Sequence, residues 1–198
     1  MITIYFAPPG VGKSTLCARF AFWEWFKKKF SNNKYERVFC NFPVKHTFLY
    51  EKDDLGVYDM GSNTLILLDE AGSEYWSRSY KDLARHQMDY FRKHRHYRHD
   101  IILFSQSFDC DKLLRDLTPM LYYIKKCWFW PYTVKCLRIH KSMIVDEDSH
   151  QLLDGYEFDP FLVRLFTTKR YYLPPYWGLF DSWETPKLSD AKIFKRYD

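Results

Sequence analysis

Residues 1–6 are apolar apart from Thr3, and Pro8, Pro9, Gly10 and Gly12 follow at once. That pattern predicts a short buried strand ending in a turn. Leu16, Phe20, Trp23, Phe26 and Phe30 then recur at spacings of three or four. This is the period of a helix with one apolar face, beginning at Lys13. Lys27, Lys28 and Lys29 suit the negative end of its dipole, and Ser31-Asn32-Asn33 ends it. Residues 37–41 read as a second strand, whereas 42–63 mix turn signals without a clear period. Leu65-Ile66-Leu67-Leu68 is a continuous apolar run, as expected of a central parallel strand covered on both faces. Residues 81–97 predict a charged helix, 101–104 a further buried strand and 111–117 a short helix.

After Pro119 the pattern changes. Residues 120–129 and 133–145 are rich in aromatic and β-branched side chains, with Trp130-Pro131-Tyr132 between them, and predict a β-hairpin. The tail from Pro174 is rich in Pro, Tyr, Trp and Lys and reads as an extended segment. No internal repeat or low-complexity stretch interrupts the chain.

The order strand, Gly-rich turn, helix, strand, helix, strand is that of an α/β fold: a mainly parallel central sheet flanked by helices, here with a C-terminal aromatic β-hairpin. A chain of 198 residues suits one domain over 1–198. Residues of about 1–118 form its core, and about 119–198 supply a hairpin and tail packing on it. Hydrophobic residues at 46% and charged residues at 28% exclude a disordered chain. Aromatics at 20% build a dense core and leave surface for a partner. A net charge of +5 permits contact with nucleic acid or an anionic membrane without demanding either.

Five cysteines, an odd number without a CxxC pair, read as reduced thiols of a cytosolic protein. Cys127 and Cys136 are expected to face each other across the hairpin as a reduced pair. No secretory signal and no apolar run of about 18 residues is present, so no segment is expected to span a bilayer.

The chemistry gathers at predicted strand ends, where open α/β sheets bind their ligands. Residues 7–15 read Ala7-Pro8-Pro9-Gly10-Val11-Gly12-Lys13-Ser14-Thr15. They match the phosphate loop Gly-x-x-x-x-Gly-Lys-Ser/Thr except that Ala7 stands where the first glycine is usual. The glycines let backbone N–H groups of Pro9-flanked Gly10, Val11, Gly12 and Thr15 turn toward phosphate oxygens. Lys13 would reach the β- and γ-phosphates of ATP, and the Ser14 hydroxyl would hold Mg²⁺.

The apolar run delivers Asp69 to the metal and Glu70 as a general base for water. Ser105-Gln106 ends the next strand, where Gln106 could sense the γ-phosphate or orient the water. These features make a P-loop NTPase, an Mg²⁺-dependent ATPase, the leading reading. A small nucleotide or nucleoside kinase shares the loop but needs an arginine-rich lid that the sequence does not show. A non-hydrolysing module ordered by nucleotide is the third reading.

The cluster Arg92-Lys93-His94-Arg95-His96-Tyr97-Arg98-His99 leaves several roles open. It could be a nucleic-acid surface with Tyr90, Phe91 and Tyr97 for stacking, or the source of an arginine for a neighbour's γ-phosphate. A solvated helix end is the plain alternative. A metal site of His94, His96 and His99 lacks supporting cysteine or acidic residues.

Taken together, this loop, Leu67-Leu68-Asp69-Glu70-Ala71, the stretch from Arg92 to Tyr97 and the strand into Gln106 resemble the zonular occludens toxin (Zot) family. The resemblance covers about residues 1–118, with the His-Arg-His-Tyr stretch its most specific part. The hairpin and Phe180-Asp181-Ser182-Trp183-Glu184 fit more loosely. It implies an assembly ATPase of filamentous phages at the cytoplasmic face of the bacterial inner membrane, similar to hexameric DNA-pumping motors. It implies a homo-oligomeric ring, single-stranded DNA as cargo and a membrane-embedded assembly partner. By that likeness Lys13, Ser14, Asp69 and Glu70 serve nucleotide, metal and catalysis, and Gln106 the sensor role. Arg95, Arg98 and Arg115 are the candidates to act in trans. Family members continue into a transmembrane helix and an outer domain, whereas this sequence reaches Asp198 without one. That implies either the cytoplasmic part of a longer protein or a short form relying on a membrane partner, with Lys187, Lys192, Lys195 and Arg196 near the membrane face.

Overall fold

A computed structural model describes residues 1–31, 33–70, 85–106, 112–145 and 152–181. Ala71, Cys110, the expected helix start at 81–84 and the tail from Ser182, with its lysines, lie outside the described residues.

The strands are β1 (Ile2–Phe6), β2 (Arg37–Cys40), β3 (Phe48–Leu49), β4 (Thr64–Leu68), β5 (His99–Ser105), β6 (Met120–Lys126), β7 (Thr133–Val145), β8 (Leu152–Phe158) and β9 (Lys169–Tyr172). The helices are α1 (Lys13–Lys29), α2 (Arg85–Lys93), α3 (Lys112–Leu117) and α4 (Phe161–Thr167). Among the described residues the strands form one sheet in the order β3-β2-β4-β5-β1-β6-β7-β8, with β9 also on β7. From β3 to β6 every pairing is parallel. β7 turns back on β6, and its outer edge takes β9 along residues 133–136 and β8 along 139–145.

Each parallel strand is an apolar run because helices and loops cover both faces. β4 is buried at every position. Side chains alternate between the faces. Ile66 and Leu68 join Ile2, Ile4, Phe91, Ile101 and Leu103 on one side. Leu65 and Leu67 join Tyr5, Leu16, Cys17 and Phe104 on the other.

α1 corrects the expected apolar face. Its buried apolar residues are Leu16, Cys17, Ala18 and Ala21, while Trp23, Phe26 and Phe30 reach the surface. Small side chains let the helix backbone lie close to the sheet, which the bulkier aromatic stripe would prevent. The outer aromatics instead hold the tail. The Trp23 indole N–H donates to the Tyr176 hydroxyl at 2.8 Å, and Phe22 meets the Tyr176 ring edge-on. That tail segment, Pro174–Leu179, is a 3-10 turn rather than an extended strand.

The hairpin forms as β6 and β7, but Cys136 stands opposite Ile124 rather than Cys127. Cys127 falls in the turn, where its N–H donates to Thr133 O at 2.9 Å. The close thiol pair is Cys17 and Cys40, buried with their Sγ atoms 3.8 Å apart. All four described cysteines are free.

Candidate functional site

Parallel strands place their carboxyl ends on one edge, and the strand order brings three of those ends together. β5 lies between β1 and β4, so Gln106 stands between the loop that follows β1 and the acidic pair that follows β4.

The loop's geometry explains its composition. Gly10 and Gly12 have φ of 72° and 103°, in the left-handed region that side-chained residues avoid. At Gly12 an added Cβ would also lie 2.6 Å from Leu173 Cδ1. Ala7 needs no such freedom. It is absent from the positive-φ residues, and its N–H extends the β1–β5 ladder by donating to Ser105 O at 3.1 Å. The departure at Ala7 therefore leaves the loop's shape intact.

Lys13 opens α1 and is only 7% exposed. Its ammonium donates to Ala7 O at 3.0 Å and Pro8 O at 3.1 Å, folding back along the loop. Burial pulls its pKa below the ordinary lysine value, against the opposing pull of Asp69 and Glu70. Ser14, on the first turn of α1, donates its hydroxyl to Asp69 Oδ2. Burial pushes the Asp69 carboxyl above the ordinary carboxylate range, opposed by the Ser14 hydroxyl, the Glu70 N–H and the Lys13 charge.

Asn41 is a site residue that the sequence reading missed. Its amide accepts from the Asp69 N–H at 2.8 Å and donates to Asp69 O at 2.9 Å. It thus closes the end of β4 as a neighbouring strand would. Glu70 follows with φ of 57°, a conformation uncommon without glycine and frequent at functional sites. Its N–H donates to Asp69 Oδ1 at 3.0 Å. Gln106 Nε2 donates to Glu70 Oε1 at 2.6 Å, holding the exposed carboxylate from the adjacent strand end.

The arginine candidates are not brought to this edge. Arg95 and Arg98 are exposed just before β5 begins, and Arg115 lies in the last turn of α3, a few residues before β6. All three belong with the amino ends of the sheet. β5 itself separates the two edges by roughly 20 Å.

The histidine cluster divides. His94 is buried, with Nδ1 2.7 Å from Phe91 O. His99 is bonded at both ring nitrogens, to the Tyr90 hydroxyl and to Gly61 O, each at 2.7 Å. Burial lowers the pKa of both. These two are structural, whereas Arg92, Lys93, Arg95, His96, Tyr97 and Arg98 face solvent. Among the described residues no group of three or more His, Cys, Asp or Glu could hold a metal by itself.

A mainly parallel sheet flanked by helices, with a glycine loop and lysine after β1 and an acidic pair after β4, makes this a P-loop NTPase fold. The chain belongs to the zonular occludens toxin (Zot) family, whose model matches residues 25–157. That span holds Asn41, Asp69, Glu70 and Gln106 and begins after the phosphate loop. The fold is similar to the N-terminal domain of zonular occludens toxin from Neisseria meningitidis, at 18% identity, TM-score 0.53, over 91% of this chain and 98% of that one. A weaker likeness links it to the genome packaging NTPase B204 of Sulfolobus turreted icosahedral virus 2, solved with ATP-gammaS. There the identity is 12% and the TM-score 0.46, over 78% of this chain and 95% of that one. The flagellar accessory protein FlaH of Methanocaldococcus jannaschii gives 13% identity and a TM-score of 0.42, over 80% and 89%. No curated protein matches the chain. No helix among the described residues is long and apolar enough to cross a membrane.

Proposed function

We propose that this protein is an Mg²⁺-dependent ATPase whose hydrolysis drives DNA export and virion assembly of a filamentous phage at the bacterial inner membrane. The observation that carries the reading is the convergence of Lys13 and Ser14 with Asp69, Glu70 and Gln106 at one sheet edge.

The backbone N–H groups of residues 10–15 face the phosphates of ATP, with Gly10 and Gly12 giving the turn. Lys13 exchanges its two carbonyl partners for β- and γ-phosphate oxygens. The Ser14 hydroxyl and Asp69 carboxylate are in contact and offer only oxygen donors, the set that Mg²⁺ takes. These residues would hold Mg²⁺, which supplies charge neutralisation at the β- and γ-phosphates. Glu70 accepts a proton from water as the water oxygen bonds to the γ-phosphorus and the bond to the β–γ bridging oxygen breaks. Gln106 fixes the direction of the Glu70 carboxylate.

Family membership supports the phage setting. The position of Arg95, Arg98 and Arg115 away from their own loop supports a ring in which one of them serves a neighbouring subunit. Single-stranded DNA is the cargo, and a membrane-embedded phage protein is the partner that holds the ring at the cytoplasmic face.

The test is ATP turnover across protein concentration, with and without single-stranded DNA. Specific activity should rise with concentration as subunits assemble and rise again with DNA. Specific activity that is flat with concentration and indifferent to DNA contradicts the motor. Phosphoryl transfer to a nucleoside with little hydrolysis would instead favour a kinase.

A further inference from the structure

The groups proposed to act on the γ-phosphate lie to one side of the loop, toward β5 and β4. A nucleoside triphosphate seated there must carry its base the other way, past Thr15, toward β6 and β7. On that side lies a cavity of about 410 Å³ between the loop, the β6–β7 turn and the tail. Its size falls within the range of small-molecule pockets.

Val134 and Leu173, both buried, line the cavity. Tyr132 and Trp177 line it too but are 63% and 50% exposed, so they form its rim. Their rings meet edge-to-face, with centroids 5.2 Å apart and planes at 88°. No Asp or Glu lines the cavity, and Lys126 does, so nothing there repels a phosphorylated ligand. Tyr132 is held at φ of 62°, a backbone conformation poorly suited to a ringed residue. The turn therefore presents this ring against local preference.

We propose that this cavity is the nucleobase pocket of the site and that it selects purines by ring contact with Tyr132 and Trp177. The proposal rests on the reading of residues 7–15 as a triphosphate loop. Three backbone N–H groups around the cavity are already used. Cys127 donates to Thr133 O, Thr133 to Trp130 O and Leu173 to Tyr132 O. Those three backbone donors are not free to read a base edge, which leaves ring area as the main source of recognition. This predicts a preference for purine over pyrimidine nucleotides with little distinction between adenine and guanine.

The experiment measures calorimetric affinity for ATP, GTP, CTP and inorganic tripolyphosphate, each with Mg²⁺. The proteins are the wild type, Lys13→Ala and the double variant Tyr132→Gly, Trp177→Ala. Glycine relieves the backbone at 132 while removing the ring, so the turn is kept. ATP and GTP should bind the wild type within a few-fold of each other, and CTP roughly tenfold more weakly or worse. The double variant should lose about tenfold or more for ATP while keeping tripolyphosphate within about twofold, which also shows that it is folded. Unchanged ATP affinity in the double variant overturns the pocket. Equal losses of ATP and tripolyphosphate also overturn it, because the rings would then not be acting on the base. Wild-type CTP affinity equal to that for ATP overturns the purine preference. Lys13→Ala should weaken ATP and tripolyphosphate together. If it weakens neither, the triphosphate reading of the loop fails first and the pocket assignment with it.

Discussion

Gly12, Asn41 and Glu70 show how far the site depends on single residues. Gly12 is constrained twice, by φ and by Leu173. Gly12→Ala is expected to cost about 1–2 kcal/mol from backbone strain alone. In a denaturant titration of Gly12→Ala, a loss well below about 1 kcal/mol would show that φ is not limiting. Asn41 makes two hydrogen bonds to the Asp69 backbone. Asn41→Ala should lower unfolding stability by about 2 kcal/mol in a denaturant titration. It should also reduce kcat more than ATP affinity, because it holds Asp69 without facing the phosphates. Equal losses in both would make its role general stability. Asp69 and Glu70 were legible as an acidic pair ending an apolar run. Asn41 was not, because its role depends on β2 lying beside β4, and residues 42–63 hide that pairing in irregular chain. Lys13 and Ser14 were legible because a phosphate loop is a local motif. Tyr132 and Leu173 reach the same loop from far along the chain, and no local pattern announces that contact.

The elements differ in how they are held. β4 and β5 rest on apolar burial, and their runs made them visible in the sequence. On α1 the expected apolar stripe holds for Leu16 and Phe20, which pack on the sheet side, but Trp23, Phe26 and Phe30 share its period and lie outside the core. Spacing does not distinguish packing on the sheet from packing on the tail. The His-Arg-His-Tyr stretch at 94–97 is the most specific part of the family likeness, and the buried imidazoles of His94 and His99 position the start of β5. Both pKa values are lowered in the fold, so the unfolded chain binds more protons below the ordinary histidine value of about 6.5. Stability should therefore fall as pH drops through that value. His99→Gln should flatten the dependence of Tm between about pH 7.5 and 5.5, and an unchanged slope would place the proton uptake elsewhere. α4 is anchored by a polar contact instead. The buried Asp159 accepts from Arg138 Nε at 3.2 Å and from Thr167, and also pairs with His140. Asp159→Ala leaves a half-exposed Arg138 that water can solvate, so roughly 1–3 kcal/mol is expected. The loss of α4 should show in hydrogen exchange over residues 161–167 before β4 is affected.

At the scale of the whole molecule, a parallel sheet concentrates ligand chemistry at one edge, while the hairpin and tail wrap one end of that edge. The α/β class and the parallel core were readable from the order of elements, whereas the hairpin, expected to pack on that core, instead continues the sheet through β6 beside β1. The strand order was not readable, because a pattern of apolar runs does not say which run neighbours which. It is that order, β4 next to β5 next to β1, that puts Gln106 between the loop and Glu70. The same order leaves Arg95, Arg98 and Arg115 at the opposite edge from their own loop. The proposed role of Glu70, activating water at an Mg²⁺-ATP site, is checked by single-turnover hydrolysis of ATP in wild type and Glu70→Gln, with ATP affinity measured on the same samples. The rate should fall about 100-fold or more with affinity kept within a few-fold. Hydrolysis at the wild-type rate by folded, ATP-binding Glu70→Gln would contradict it.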